Sequence, residues 1–174
     1  MHAASLSLDR LPRLGIDIGR VIIGAVDDSG RADTSFLSGT LERAMETPPT
    51  PRAFDCIARL THAFDGAVWL VSKCGPRVQD KTRRWLAHWG FWDRTGIPSD
   101  HLRFCLKRPD KALHCAELGV THFIDDRVDV LEHLRGLVPH LYLFGADWMT
   151  RTAPAWATPV ITWPEVIDAI GALR

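Results

Sequence analysis

The chain has no excess of charge of either sign and no long apolar run. Lys and Arg together number 21, as do Asp and Glu, so the formal net charge at neutral pH is zero. Proteins that bind nucleic-acid polymers or acidic membranes through their overall field carry a clear excess of basic residues. No apolar run approaches the roughly 20 residues of a membrane span. We therefore expect neither a nucleic-acid polymer nor a membrane as a partner.

The usual metal-binding patterns of cysteine and histidine are also missing. The four cysteines form no C-x-x-C pair, and the eight histidines form no H-x-x-H or H-E-x-x-H pattern. This argues against the common zinc sites. Residues 1–11 lack the apolar core of a signal peptide. Free cysteines beside apolar runs behave as small hydrophobes, which suits a reducing compartment. We expect a cytoplasmic protein.

What the sequence does contain is an alternation of short apolar runs and helical patterns. A chain of 174 residues is long enough for one domain with a sizeable core. We predict a flexible N-terminal arm over residues 1–12 and a single α/β domain over residues 13–174. One predicted strand opens the segment 14–23, and the others lie at 67–71, 101–106, 121–124 and 141–144. Predicted helices lie at 36–45, 51–64, 78–89, 110–118, 128–137 and 163–173.

Strands that alternate with helices predict a three-layer, Rossmann-like parallel sheet with helices on both faces. Right-handed crossovers then place every carboxyl end of a strand on one edge of the sheet, where ligands bind. The turn residues 26–30 follow the apolar run Val21–Ala25 and predict a small hairpin flap near that edge. We assign the flap to about residues 21–47, a region whose pattern is otherwise hard to interpret.

Polar residues that suit phosphate chemistry stand at or after the ends of the predicted strands. They are Asp17, Ser72, Lys73, Lys107, Lys111, Asp125 and Asp126. Three carboxylates on one edge are unfavourable unless a cation neutralises them. Hard oxygen ligands with open positions suit Mg²⁺, and a hydroxyl and an ammonium group hold phosphate oxygens. The pattern therefore indicates phosphoryl chemistry at this edge.

Four of these motifs follow one another in the order of a known family. They are Ile16-Asp17-Ile18-Gly19-Arg20-Val21, Leu70-Val71-Ser72, Lys111 and Phe123-Ile124-Asp125-Asp126-Arg127. In this order the chain resembles the haloacid dehalogenase-like hydrolases over roughly residues 13–145. The resemblance implies their α/β fold. It also implies covalent catalysis, in which a strand-end Asp forms an aspartyl-phosphate that is hydrolysed with Mg²⁺ present.

The resemblance also implies roles for individual residues. Asp17 would be the nucleophile and a metal ligand, and the backbone carbonyl of Gly19 would be a second ligand. Asp126 would be the third ligand, with Asp125 supporting it or binding through water. Ser72 and a lysine would neutralise the phosphoryl oxygens.

The site lysine has two candidates in this sequence. We favour Lys111, which would lie in the first turn of the helix before the acidic strand, and keep Lys107 as the alternative. Lys73 and Arg127 are interpreted as solvated rim residues or as contacts for an anionic substrate. Cys74 has no nearby histidine in sequence to activate it and is interpreted as structural.

The segment between Asp17 and Ser72 is too short for a full cap domain, so the chain resembles a capless or minimally capped member. From Pro49 onwards it also resembles the compact deoxyribonucleotidase branch, at Lys81, Trp85 and the Lys111 region. These likenesses imply a small phosphate ester or a nucleotide as substrate. Trp85, Trp89 and Trp92 are interpreted as core and rim packing, with stacking of one of them on a base as the alternative.

One position departs from the phosphatases of this family. They carry a second Asp two residues after the nucleophile, which acts as general acid and base, whereas this chain has Gly19. Two hypotheses therefore remain. The first is a Mg²⁺-dependent phosphohydrolase that acts through an aspartyl-phosphate at Asp17. The alternative is a catalytically impaired protein that keeps the fold for binding or regulation.

Overall fold

The computed structural model describes residues 11–24, 35–145 and 153–171. Within these ranges a single sheet of six parallel strands forms the centre of the molecule. The strands are β1 (Leu14–Ile16), β2 (Val68–Lys73), β3 (Leu102–Cys105), β4 (His122–Asp125), β5 (His140–Phe144) and β6 (Thr158–Val160). The predicted α/β fold with a parallel sheet is confirmed.

Helices connect the strands and cover both faces of the sheet. They are α1 (Ser35–Ser38), α2 (Leu41–Glu46), α3 (Ala53–Ala63), α4 (Pro76–His88), α5 (Phe91–Thr95), α6 (Lys111–Leu118), α7 (Val128–Leu134) and α8 (Trp163–Gly171). A short 3₁₀ turn, Arg108–Asp110, leads directly into α6. None of the helices in the described part of the chain is long and apolar enough to cross a membrane.

The strand order is β3-β2-β1-β4-β5-β6. The chain therefore moves outward from β1 to β3, returns to the other side of β1 with β4, and continues to β6. This makes the boundary between β1 and β4 the point at which the strand order reverses. In sheets of this kind ligands bind at that boundary, beyond the carboxyl ends of the strands.

Strand residues alternate between two apolar layers, which explains why each strand is a continuous apolar run. Leu70 and Ile124 point into the layer that contains α3, α4, α5 and α8. Their neighbours Val71 and Phe123 point into the layer that contains α6 and α7. Strands covered on both faces have no solvent side and hence no polar alternation.

Gly15 is required in β1 because an aromatic ring passes over it. A Cβ at this position would lie 2.5 Å from Cδ2 of Phe123 on the neighbouring strand β4. That distance is far below a van der Waals contact, so only a residue without a side chain fits. The same ring lies 5.6 Å from Nζ of Lys111, so its close packing on β1 also positions it beside the candidate site.

Two elements were not predicted from the sequence. The edge strand β6 has only three residues, and one of them is Pro159, which cannot donate to a strand ladder. Helix α5 has five residues between Gly90 and Gly96, both in the left-handed conformation. Both elements are too short to produce a periodic signal, and the tertiary packing of their apolar side chains determines them.

The segment after β1 forms a tight turn in its described part. Val21–Ile23 turns back, and the backbone amides of Val21 and Ile22 donate to the carbonyl of Ile18. Nε1 of Trp163 on α8 donates to the carbonyl of Val21 at 2.9 Å and fixes this turn. Residues 25–34 of the predicted flap and residues 1–10 of the predicted arm lie outside the described residues.

Candidate active site

The pairing of β1 with β4 places two carboxylates side by side. Ile16 is opposite Ile124, so the next residues, Asp17 and Asp125, leave the sheet together. The backbone amide of Asp17 donates to the carbonyl of Ile124 at 2.9 Å and continues the ladder by one residue. Both side chains are buried. Two adjacent buried carboxylates repel each other unless a cation lies between them.

Lys111 is that cation. Its Nζ donates to Oδ1 of Asp17 and to Oδ2 of Asp125, each at 2.7 Å. The residue is only 2% exposed, and its Nζ lies 5.6 Å from the centre of the Phe123 ring. Lys107, the alternative lysine, is exposed at the start of the 3₁₀ turn. The structure thus places Lys111, and not Lys107, within the group of acids.

The lysine remains charged in this environment. Burial by itself would lower the pKa of Lys111, but the charges of Asp17 and Asp125 outweigh burial and raise the pKa above its usual value. The ammonium group is therefore a fixed positive charge at the carboxyl ends of β1 and β4.

One lysine does not neutralise the whole group of acids. Burial, reinforced by the charge of Asp17, raises the pKa of Asp125 to about 7 and that of Asp126 to about 8. Lys111 opposes both shifts, and Arg20 opposes that of Asp126. Raised carboxyl pKa values mean that the site resists full ionisation until another cation is added.

The two acids after β4 are held in different ways. The backbone amide of Arg127 donates to Oδ1 of Asp125 at 3.0 Å, so both oxygens of Asp125 are engaged by the protein. Oδ2 of Asp126 instead pairs with Nε of Arg20 at 3.0 Å. Arg20 adopts a positive φ of 61°, which is uncommon for a residue with a side chain. Asp125 is therefore suited to orient Lys111, whereas Asp126 has an oxygen left for a ligand.

The donor set fits a divalent cation of the magnesium type. One carboxylate oxygen from each of Asp17, Asp125 and Asp126 lies within 4.8 Å of the others. All three are hard oxygen donors, and burial together with the neighbouring negative charge raises the pKa values of Asp125 and Asp126, so a bound cation would favour their ionised forms. Gly19, the predicted backbone ligand, lies in the wall of the same cavity.

A cavity of about 340 Å³ opens onto the three acids and Lys111. Ser72, at the end of β2, is buried and lines it, so all the predicted site residues meet in one place. Lys73 and Arg127 also line this cavity. A cavity of this size is suited to a small ligand.

Lys81 holds one wall of this cavity and is not exposed to a ligand. Its buried Nζ donates to the carbonyls of Phe36, Leu37 and Gly39, at 3.2, 3.4 and 2.6 Å. Phe36 and Leu37 line the cavity. An ammonium group at the last carbonyls of the short helix α1 satisfies groups that the helix itself leaves without partners.

Trp85 lies in the core, as predicted from its helical position. It is fully buried, and its Nε1 donates to the carbonyl of Thr47 at 2.8 Å. Stacking on a nucleobase, the alternative role, is therefore wrong for this residue.

Cys74 follows Ser72 but is not poised as a nucleophile. Burial raises the pKa of its thiol to about 11, although a hydrogen bond with Ser72 opposes the shift. At neutral pH the thiol is protonated and weakly reactive. All four cysteines of the chain are free and buried.

Sequence reasoning missed three charged residues beside the site. They are Arg20, Arg108 and Asp129, for which the sequence pattern indicates no role in the site. Arg108 lines the cavity. Its Nη1 lies 3.3 Å from Oδ2 of Asp129, a residue of α7. The segment Lys107–Lys111 contains several charges, and nothing in its spacing distinguishes a buried lysine from an exposed arginine.

The fold of this chain is similar to those of several proteins of known structure. The fold matches D,D-heptose 1,7-bisphosphate phosphatase from B. bronchiseptica, whose structure holds magnesium and phosphate, with a TM-score of 0.61 and 16% identity over 93% of this chain and 99% of that one. This match and that of a haloacid dehalogenase-like hydrolase, described next, decide the fold. The chain has the fold of the haloacid dehalogenase-like hydrolases, as its motifs predicted.

Two further structures share the architecture. A protein from Burkholderia xenovorans assigned to the haloacid dehalogenase-like hydrolases matches with a TM-score of 0.52 and 12% identity, over 74% of this chain and 60% of its own. DsGPDH of Dunaliella salina matches with a TM-score of 0.56 and 18% identity, over 90% of this chain but only 28% of its own. No protein-family model and no curated protein matches the sequence.

The central position of Lys111 leads to a stability prediction. Lys111→Met removes the cation between two buried carboxylates, and breaking a buried ion pair in this way destabilises a protein by about 3–5 kcal/mol. We expect urea unfolding at about pH 8 with a chelator present to show a loss of this order. The double variant Lys111→Met/Asp125→Asn should recover part of it, because one of the two charges is then absent.

Lys107→Met is the matched control, because it removes the same group from an exposed position. It should change the free energy of unfolding by no more than about 0.5 kcal/mol. Equal effects of the two substitutions would contradict the placement of Lys111.

Proposed function

We propose that the protein is a Mg²⁺-dependent phosphohydrolase that acts on a small phosphate ester or a nucleotide through an aspartyl-phosphate at Asp17. The observation that carries the proposal is the position of Asp17. Its carboxylate stands at the carboxyl end of β1, facing a cavity, with a buried lysine on one oxygen and two further acids beside it. The magnesium and phosphate in the structurally similar heptose bisphosphate phosphatase support it.

Asp17 would act as the nucleophile. Its Oδ1 accepts a hydrogen bond from Lys111, which leaves Oδ2 to attack phosphorus. The attack forms a bond between Oδ2 and phosphorus and breaks the ester bond between phosphorus and the leaving oxygen. Water then attacks the phosphorus of the aspartyl-phosphate, which releases inorganic phosphate and restores the carboxylate.

Lys111 and Ser72 would stabilise the phosphoryl group during both steps. The charge of Lys111 is fixed by Asp125, whose second oxygen is held by the backbone amide of Arg127. The oxygens of the phosphoryl group gain negative charge as the bonds exchange. A positioned ammonium group and a hydroxyl are effective there, since they need no reorganisation during the reaction.

Asp17, Asp126 and the carbonyl of Gly19 would hold the metal. Bound Mg²⁺ would supply positive charge to the phosphoryl oxygens and allow the three acids to be ionised together. On Asp126, the oxygen that Arg20 does not contact would be available to the cation.

A second candidate, a catalytically impaired binding or regulatory protein, rests on the absence of a general acid. Of the described residues that line the cavity, the only acids are Asp17, Asp125 and Asp126. Each of them is engaged by Lys111 or Arg20. A positioned acid and base typically contribute about 10²–10⁴-fold to a rate. Leaving groups that need a proton should therefore react slowly.

The first test of the function compares leaving groups. We expect Asp17-dependent hydrolysis of aryl and acyl phosphates, whose leaving groups are stable anions, and much slower hydrolysis of matched alkyl phosphates. Steady-state rates with Mg²⁺ for the wild type and Asp17→Asn measure this. Phosphorylated Asp17 should also accumulate, and intact-protein mass spectrometry would detect it.

Rapid cleavage of alkyl phosphates that depends on Asp17 would show that another group supplies the proton. If a broad panel of phosphate esters gave no cleavage that depends on Asp17, the binding or regulatory function would be favoured instead.

The second test concerns the metal. A ligand that binds only the folded protein stabilises it by about 2.7 kcal/mol at 100 times its Kd. We expect Mg²⁺ to raise the melting temperature of the wild type and to have no effect on Asp126→Ala.

Asp80→Ala is the matched control for the metal test. Asp80 pairs with Nε of Arg84 at 3.0 Å, as Asp126 pairs with Arg20, but on the exposed face of α4. This variant should keep the full response to Mg²⁺. An unchanged response in Asp126→Ala would place the metal site elsewhere.

The third test restores the missing acid. Among the described residues no atom lies within 4 Å of the position that a Cβ on Gly19 would take, and its φ is not positive. Gly19→Asp should therefore fold normally and raise the hydrolysis of alkyl phosphates by about 10²–10⁴-fold. Gly19→Asn, which has the same size but no acid, should remain near the wild type. A similar gain in both variants would mean that the effect is not proton transfer.

A further inference from the structure

Two arginines from different segments meet at one carboxylate beside the cavity. Nη1 of Arg108, in the 3₁₀ turn, lies 3.3 Å from Oδ2 of Asp129. Nε of Arg127, at the start of α7, lies 3.0 Å from Oδ1 of the same residue. Arg108 and Arg127 both line the cavity that contains Asp17. Asp129 thus holds the two guanidinium groups next to each other at the edge of the candidate active site.

Each of the two arginines is connected through the backbone to a residue of the candidate active site. The backbone amide of Arg127 donates to Asp125, and the 3₁₀ turn that carries Arg108 runs directly into Lys111. Asp129 lies in the first turn of α7, where a negative charge is favourable. The positions of the two guanidinium groups are therefore tied to the position of the reacting phosphoryl group.

Most of the hydrogen-bond donors of the two arginines remain available. A guanidinium group has five N–H donors, and Asp129 engages only one nitrogen of each arginine. Within the described ranges neither guanidinium group has another acceptor. Both side chains are about two-fifths exposed, so a ligand in the cavity can reach them. Arginine forks match the geometry of carboxylates and phosphates.

The charges around the cavity leave net positive charge for a second anion of the ligand. The cavity is lined by five basic residues and three acids, and Asp129 adds one acid at the edge. Near Asp17, Lys111 and Arg20 offset two of the three acids, and the charge of Lys73 offsets the third. A bound divalent cation would add two positive charges, and a phosphoryl dianion would offset only those two. Positive charge therefore remains on the side of Arg108 and Arg127.

Resting on the function proposed above, we infer that Arg108 and Arg127 form an anion clamp for a second oxyanion of the substrate. The substrate class is a small phosphate ester that also carries a carboxylate or a second phosphate. Phosphate esters with neutral tails are bound only at the phosphoryl end.

The clamp predicts that phosphonates with a second anionic group bind more tightly than phosphonates without one, which can be measured without turnover. With Mg²⁺ present, calorimetry should show that phosphonopropionate binds about 10- to 100-fold more tightly than propylphosphonate, since hydrogen bonds to charged groups contribute about 1.5–3 kcal/mol. Methylenebisphosphonate compared with ethylphosphonate tests the phosphate form of the second anion in the same way. The stronger of the two preferences identifies which oxyanion the clamp takes.

Variants separate the clamp from the phosphoryl site. Arg108→Gln and Arg127→Gln should each remove most of the preference while the affinity for propylphosphonate stays unchanged. Asp129→Asn, which releases the two arginines from their fixed positions, should reduce the preference in the same manner. The matched control is Arg135→Gln, because Arg135 pairs with Glu132 of α7 and lies over Trp156, away from the cavity. It should leave both affinities unchanged.

The outcomes distinguish this inference from the proposed function. If charged and neutral phosphonates bind equally well and their binding depends on Asp126, the clamp is wrong and the phosphohydrolase proposal stands. If no phosphonate binds and no ester is cleaved by way of Asp17, both are wrong. A preference that survives both arginine substitutions would assign the second anion to other residues and would also overturn the clamp.

Discussion

The contact of Lys111 with Asp17 and Asp125 is the constraint on which the rest of the structure depends. Two carboxylates leave neighbouring strands in register and are buried together, so a cation has to lie between them. Lys111 can reach both because α6 begins at its position. Gly15 lets the Phe123 ring pack on β1, and the ring also lies beside Nζ of Lys111. A buried ion pair is weak evidence for added stability, so its presence is better explained by the chemistry of the site.

Four of the basic residues around the cavity each pair with an acid. Lys111 is the innermost cation, Arg20 holds Asp126, and Arg108 and Arg127 meet at Asp129 on the outer edge. The acids alternate with these cations, which keeps the net charge small while each group stays fixed in position. Such an arrangement is suited to an anionic ligand that enters along the cavity. It also explains why a chain with no net charge has a strongly polarised site.

Much of the fold could be predicted because buried parallel strands and amphipathic helices have different periods. The alternation predicted a parallel sheet with helices on both faces, and the strand ends predicted where Asp17, Ser72 and Asp125 would meet. The sequence did not predict β6 or α5, since each is short and interrupted or bounded by proline or glycine. It also did not predict the turn at Val21–Ile23, which is fixed by Trp163 from a distant part of the chain. Long-range packing decides such segments.

The sequence by itself determined the fold class and the identity of the acids, the hydroxyl and the candidate lysines, because strand ends on one sheet edge have to converge. Only the tertiary structure decided between Lys111 and Lys107, since the choice depends on which side chain reaches two carboxylates at 2.7 Å. It alone showed that both oxygens of Asp125 are engaged and that there is space for a side chain at Gly19. The pairing of Arg108 and Arg127 through Asp129 likewise has no signal in sequence spacing. Such a contact depends on the orientation of side chains from separate elements, which only the packed fold determines.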